Sequence, residues 1–223
     1  MSLDEFEIIK RYFSSLSTGA GVRVGPGDDA AIVEVPYGHA LQVSNDTVVE
    51  NVHFFSEMSP GDIGYKAVMS AASDLAAMGA APLGMLMSLT VTKVECAWLE
   101  SFAEGITAAC KYCSLPLIGG DTTRGPMAIS ITVLGSGPIG KSLLRSGANI
   151  GDRLCVSGTL GDAAAGLAFL SGDFRPGSVD SALRAKLETR FLRPTAQIAL
   201  GQSLVGIASA AIDVSDGLLA DAQ

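Results

Sequence analysis

The stretch that organises the rest of the chain reads Leu117-Ile118-Gly119-Gly120-Asp121-Thr122-Thr123-Arg124-Gly125. Its two glycines follow an apolar run, residues 114–118, that is typical of a β-strand, and together they predict a sharp bend. Such a bend can hold backbone N–H groups against phosphate oxygens while Asp121 binds a divalent cation. A Gly-Gly-Asp segment is also a common tight turn without any ligand, so this stretch alone leaves both interpretations open.

The composition narrows the class of protein. A chain of 223 residues with 48% hydrophobic and 17% charged residues is typical of a compact enzyme rather than of a disordered chain. The formal net charge of −8 opposes attraction to nucleic acid or to an anionic membrane, so neither is an expected partner. No apolar run has the length of a bilayer span, and the first residues do not resemble a secretion signal, which predicts a cytoplasmic protein.

Hydrophobic periodicity and turn residues predict the order of the elements. Strands are expected at 30–35, 40–43, 83–91, 114–118, 127–134 and 153–157, and helices at 3–16, 59–79, 95–113, 162–170, 178–192 and 194–208. This order suits an α+β layer with a mixed or antiparallel sheet better than a strictly alternating parallel sheet.

The glycine-rich run 135–140 is the best candidate for a domain boundary. It divides the chain into an N-terminal domain, residues 1–137, and the start of a second α+β domain, residues 138–223. The sequence stops soon after a new helix begins near Ser215, which predicts that the second domain is incomplete and belongs to a longer chain.

Aspartates recur at turns, at strand ends and in one otherwise apolar helix. They are Asp28, Asp29, Asp46, Asp74, Asp121, Asp213 and Asp216. If they converge, two carboxylates ~4 Å apart repel by about 4 kcal/mol at an effective dielectric of 20, so cations must accompany them. Oxygen ligands without His or Cys select magnesium, manganese or calcium. The alternative is that each aspartate is a separate solvated turn cap.

Six short motifs, taken together, resemble one known family. They are Gly25-Pro-Gly-Asp-Asp-Ala-Ala31, Ser44-Asn-Asp-Thr47, Ser73-Asp-Leu-Ala-Ala-Met-Gly79, the stretch 117–125, Arg145-Ser-Gly-Ala148 and Ile212-Asp-Val-Ser-Asp-Gly217. In this order they resemble the thiamine-monophosphate kinases of the aminoimidazole-ribonucleotide-synthetase-like superfamily. The resemblance implies an α+β fold and a homodimer in which the N-terminal domains share a β-barrel. It also implies transfer of the γ-phosphoryl group of ATP to thiamine monophosphate, giving thiamine diphosphate.

The resemblance also assigns roles to residues of this chain. It implies several Mg²⁺ ions bound by Asp29, Ser44, Asn45, Asp46, Asp74, Asp121, Asp213 and Asp216. It implies ATP contacts at Gly120, Asp121, Arg145 and Ser215, and a contact with thiamine monophosphate at His53. Asp46, Asp121 and Arg145 are the expected catalytic residues, because charge neutralisation and positioning supply most of the rate in phosphoryl transfer. The family often has Thr where this chain has Asn45.

Two other functions stay open from the sequence. The chain could be another ATP-dependent synthase of the same superfamily, which would release phosphate from an activated intermediate. It could also be a catalytically inactive module that binds a nucleotide or divalent ions.

Overall fold

The computed structural model describes residues 5–13, 16–174 and 179–223. Its elements in chain order are α1 (Glu5–Ile8), a π-helical turn (Ile9–Phe13), β1 (Val22–Val24), β2 (Ile32–Val33), β3 (His39–Val49), α2 (Pro60–Ala77), β4 (Ala81–Val91), α3 (Cys96–Cys113), β5 (Leu117–Arg124), β6 (Ala128–Pro138), a 3-10 turn (Arg145–Gly147), α4 (Asp162–Ser171), α5 (Ser181–Leu192), α6 (Ile198–Leu204) and α7 (Leu218–Asp221). Helices packed on a mixed sheet confirm the α+β class.

The main sheet has four strands in the order β3-β6-β4-β5. β6 runs antiparallel to both β3 and β4, whereas β5 runs parallel to β4. Strands β3 and β5 are therefore the two edges of this sheet. β1 and β2 form a separate antiparallel pair. The sheet is open in the single chain, so the expected barrel does not form within one copy.

The two faces of the sheet differ in character. Ile129, Ile131 and Val133 of β6 point to one face and are fully buried in the core that includes α2 and α3. The other face exposes apolar side chains: Leu41, Val43 and Leu86 are 48%, 57% and 37% exposed. Residues alternate between the faces along each strand, so register decides which side chains share a face.

Helices α2 and α3 pack closely on the covered face. Apolar residues at helical spacing on α2, including Ile63, Ala67 and Leu75, are buried against the core. Gly105 on α3 lies so close to the backbone carbonyl of Gly61 that a Cβ atom there would clash with it. The two glycines therefore let α2 and α3 approach closely. Helix α2 also packs on β3 and β6, which brings Asp74 close to the sheet.

The described residues after β6 form helices and loops. Helix α6 packs on α2, and Gln202 Nε2 on α6 donates to the backbone oxygen of Ala80 at 3.1 Å. Arg193, at the end of α5, pairs with Asp62 at 2.5 Å. These contacts attach the C-terminal part of the described chain to α2.

Two predicted turns are parts of strands instead. Ser44 to Thr47 lies inside β3, and Gly119 to Thr122 lies inside β5. Gly120 has φ 154° and lies against the backbone oxygen of Met87, where a Cβ atom would clash. The glycine is needed for the close approach of β5 to β4, not for a bend. Both segments are polar edge strands, which resemble turns in composition.

Other predicted boundaries also differ. Residues 153–157, expected to be a strand, form no regular element, and Leu154 in this segment is exposed. Among the described residues no strand pairs with this segment, so its backbone N–H and C=O groups do not form the hydrogen bonds of a sheet. The expected helix 3–16 appears as the short α1 and the π-helical turn, and positions 3, 4, 14 and 15 lie outside the described residues. Within the described ranges, no helix is long and apolar enough to cross a bilayer.

Candidate active site

The acidic cluster begins on the covered face of the edge strand β3. Ser44, Asp46 and Val48 alternate with Asn45 and Thr47, and Val48 is buried, which shows that the first three face α2. Ser44 Oγ donates a hydrogen bond of 2.5 Å to Asp74 Oδ2 on α2. The strand and the helix thus bring two acidic residues 28 positions apart in the sequence to one side of the sheet.

A third carboxylate comes from the C-terminal part of the described chain. Asp213 lies in the loop before α7, and Ser73, the neighbour of Asp74, donates a hydrogen bond to it. The Ala211 N–H donates to the oxygen of Leu144 at 3.3 Å, which holds this loop beside the 3-10 turn that carries Arg145. We refer to Asp46, Asp74 and Asp213 as the acidic cluster.

The carboxyl groups of the cluster affect one another electrostatically. Burial raises the pKa of Asp46, the charges of Asp74 and Asp213 raise it further, and the nearby His53 opposes the shift. Burial and then the charge of Asp74 raise the pKa of Asp213, whereas the hydrogen bond from Ser73 and the charge of Arg145 lower it. The cluster therefore has more negative charge than the surrounding protein groups neutralise.

Asp121 and Asn45 are not part of this cluster. One row of aligned residues crosses the sheet from edge to edge. It consists of Asp121 on β5, Ser88 on β4, Ser130 on β6 and Thr47 on β3. Asp121 therefore faces the open side of the sheet, as do Asn45 and Thr47. Three strand spacings, about 14 Å, separate the β3 and β5 edges. One chain does not bring Asp121 and Asp46 to a common ion.

The remaining candidates lie in exposed loops. Asp29 precedes β2, and its N–H donates a hydrogen bond of 2.9 Å to Oδ1 of the neighbouring Asp28. Asp216 and Ser215 are exposed before α7. The N–H groups of Ser215 and Gly217 donate to Asp221 Oδ2 at 3.0 and 3.1 Å, so Asp221 holds the loop that precedes α7. Gly120 is exposed on β5. In the part of the chain that the structure describes, no hydrogen bond or ion pair joins these side chains to the acidic cluster.

The chemistry of the cluster suits a hard cation. In the described ranges, no three His, Cys, Asp or Glu side chains lie close enough together to enclose a metal ion by themselves. The cluster nevertheless offers carboxylate and hydroxyl oxygens, which are ligands that magnesium prefers. Since burial and the charges of neighbouring carboxylates raise the pKa of two of its carboxyl groups, a divalent ion carrying phosphate fits the cluster.

One residue beside the acidic cluster was missed from the sequence. No separate role was predicted for Ser73, but its hydrogen bond to Asp213 connects α2 to the loop before α7. Its position next to Asp74 gave no signal, because consecutive residues of a helix point about 100° apart.

Known proteins resemble this chain along almost all of its length. Residues 27–137 match the family described as AIR synthase related protein, N-terminal domain. The thiamine-monophosphate kinase of Salmonella typhimurium is 45% identical over 222 residues, which are 99% of this chain and 68% of that protein. The chain belongs to the thiamine-monophosphate kinase family.

Solved structures support this membership of the thiamine-monophosphate kinase family. The crystal structure of thiamine-monophosphate kinase from Stenotrophomonas maltophilia K279a has a TM-score of 0.87 and 40% identity, covering 100% of this chain and 71% of that one. A structure of AaThiL complexed with AMPPCP and TMP has a TM-score of 0.76 and 33% identity, covering 99% of this chain and 69% of that one.

Proposed function

We propose that this protein transfers the γ-phosphoryl group of ATP to thiamine monophosphate, forming thiamine diphosphate and ADP, as a magnesium-dependent cytoplasmic homodimer. The observation that carries the proposal is the acidic cluster with Arg145 beside it, in a chain 45% identical to a thiamine-monophosphate kinase. A family structure complexed with AMPPCP and TMP supports the choice of the two substrates.

The acidic cluster and Ser44 are the residues that would hold Mg²⁺, and bound Mg²⁺ would neutralise the charge that opposes the approach of two phosphate groups. Arg145, exposed next to the loop of Asp213, is placed to bind the triphosphate and to stabilise charge that develops during transfer. The acceptor phosphate is already an anion, so no side chain has to remove a proton from it. Asp29, Asp216, Gly120 and Ser215 remain proposed ligands of the ions or of ATP.

A homodimer would complete the site. Asn45 and Asp121 lie on the same open face but at opposite edges, so the β3 edge of one chain must meet the β5 edge of another to bring them together. Two such four-stranded sheets make eight strands, a number whose closed barrel is filled by side chains. Exposed Leu41, Val43 and Leu86 would supply that filling. At this seam Asp46 would face α2 and the partner's Asp121 would face the inside of the barrel, so the two would bind different ions. We infer that each site nevertheless depends on Asp46 from one chain and on Asp121 from its partner.

The domain division at residues 137 and 138 is part of the same proposal. The last strand of the sheet ends at Pro138, and the later described elements are helical. The packing of α6 on α2 would then be a contact between the two domains, and the acidic cluster would lie where they meet.

The test follows the labelled phosphoryl group. Purified protein is incubated with MgCl₂, γ-labelled ATP and thiamine monophosphate, and the products are separated. We expect label in thiamine diphosphate, ADP in equal amount, no ADP without thiamine monophosphate, and no reaction with EDTA. Direct transfer also leaves the protein unlabelled. Labelled free phosphate without thiamine diphosphate would favour a synthase, and magnesium-dependent ATP binding without turnover would favour an inactive module; either contradicts the proposal.

A further inference from the structure

The turn that follows the edge strand β3 has an unusual backbone. The His53 N–H donates to the oxygen of Val49 at 2.9 Å, and the Asn51 N–H donates to the oxygen of Phe54 at 2.8 Å. Asn51 has φ 60°, in the left-handed region. Among the described residues other than glycine, it shares a positive φ only with Ser114, at the end of α3. The chain therefore closes this turn through a conformation that Asn tolerates and β-branched residues avoid.

The turn fixes the imidazole of His53. The N–H of Val49 donates to His53 Nδ1 at 3.1 Å, a bond available because β3 is an edge strand. Since Nδ1 accepts a hydrogen bond, the proton of the neutral ring is on Nε2. His53 is exposed, and a positive charge on its ring would lower the pKa of Asp46 of the acidic cluster, so the ring lies near the proposed site of phosphoryl transfer.

We propose that Asn51 is a positioning residue for substrate binding: its left-handed conformation holds His53 with Nδ1 on the Val49 N–H and with Nε2–H directed outward to donate to a phosphate oxygen of the acceptor. This inference rests on the proposed function, in which His53 contacts thiamine monophosphate. An extended conformation at Asn51 would change the path of the chain between Val49 and His53, and the ring would lose its orientation.

Three variants test the role of Asn51. Asn51→Val disfavours the left-handed conformation, whereas Asn51→Gly permits it without a side chain. Ser114→Val is the matched control, because it introduces the same strain at φ 52° in the cap of α3, where it touches no part of the site. The ring state is measured by nitrogen NMR of His53, and substrate binding by the KM values for thiamine monophosphate and ATP and by titration with thiamine monophosphate.

We expect Asn51→Val to raise the KM for thiamine monophosphate about tenfold, with kcat and the KM for ATP nearly unchanged, because only binding of the acceptor is lost. His53 should change from one tautomer, protonated on Nε2, to a mixture. Asn51→Gly should restore both properties, and Ser114→Val should alter neither. If Asn51→Val does not fold, Asn51→Ala replaces it with a smaller effect in the same direction.

The outcomes separate this inference from the proposed function. An active wild-type protein whose KM and His53 tautomer are unaffected in Asn51→Val would overturn the positioning role alone. Equal effects in Ser114→Val would also overturn it, since strain anywhere would then explain the change. A wild-type protein that makes no thiamine diphosphate would contradict the proposed function, and the NMR comparison would still test whether Asn51 sets the tautomer.

Discussion

Ser44 Oγ donates a hydrogen bond of 2.5 Å to Asp74 Oδ2, and this bond connects the edge strand β3 to helix α2. Asp74 would otherwise lie among like charges with no donor from the strand. The bond fixes the orientation of the carboxylate that raises the pKa of both Asp46 and Asp213. The geometry of the acidic cluster therefore depends on a serine that sequence patterns assigned to a turn.

Removing this bond should weaken ion binding. We expect Ser44→Ala to increase the magnesium concentration for half-maximal activity about threefold or more, because one oxygen ligand and the orientation of Asp74 are lost together. The measurement is initial rate against free Mg²⁺. Thr107→Ala is the control, since its hydroxyl bonds only the Ala103 oxygen at 2.7 Å within α3. An unchanged magnesium dependence in Ser44→Ala would contradict this role.

Replacing Asp74 by Asn should stabilise the metal-free protein while reducing activity. The variant removes a charge that raises the pKa of two neighbouring carboxyl groups, and its amide oxygen can still accept from Ser44. We expect a higher Tm in EDTA, and kcat at least about tenfold lower, as is common where sites are strained for function.

Asp152→Asn is the contrasting variant for this experiment. Hydrogen bonds from Ser209 and from the Asn149 N–H lower the pKa of Asp152, so its charge is stabilised by the fold. We expect this variant to lower the Tm in EDTA. A lower Tm for Asp74→Asn as well would show that the acidic cluster is not under electrostatic repulsion.

The burial of Lys66, outside the candidate site, predicts that the stability of the fold depends on pH. The Lys66 Nζ lies 3.4 Å from the centroid of the Phe191 ring on α5, and burial lowers its pKa to about 8. Below pH 8 the lysine is charged in both states, so the cost of burying the charge is fully present. Between pH 8 and the unfolded pKa of about 10.4, the unfolded state binds more protons and stability rises with pH.

We therefore expect Lys66→Met to be more stable than the wild type, with a difference that is largest below pH 8 and narrows as the pH approaches 10. Urea unfolding at a series of pH values measures it. Lys186→Met, at an exposed position on α5, controls for the loss of one positive charge. A stability difference that stays constant or grows with pH would contradict a lowered pKa of Lys66 in the folded protein.

The sequence predicted the covered elements well and the edges of the sheet poorly. Helices α2 and α3 and strands β4 and β6 are close to the predicted ranges, because burial imposes a clear apolar period on each. The edges β3 and β5 are rich in polar residues and glycine, so Ser44 to Thr47 and Gly119 to Thr122 resemble turns. Residues 153–157 have the apolar pattern of a strand, but among the described residues no strand pairs with them. A local pattern does not specify which strand, if any, will pair with it.

The candidate site shows the same limit. Motifs identified Asp46, Asp74, Asp213 and Arg145, and the fold brings these together from four separate segments. The position of Asp121 depends on strand order and register, which are long-range properties that local spacing does not contain. A single chain therefore leaves Asp121 on the open face, away from the acidic cluster, and its role as a magnesium ligand stays a prediction.

Whether each site depends on Asp46 of one chain and Asp121 of another is tested most directly by mixing two inactive variants. Asp46→Asn and Asp121→Asn should each lower kcat at least about tenfold as homodimers. After subunit exchange at equal concentrations, half of the dimers are mixed and each has one intact site, so about a quarter of wild-type activity should return. Mixing Asp46→Asn with Asp74→Asn is the control and should restore no activity. Each acidic cluster comes from a single chain, so every site in this mixture has one of the two changes. No recovery in the first mixture, with exchange shown by native mass spectrometry after uniform isotope labelling of one variant, would contradict a site shared between two chains.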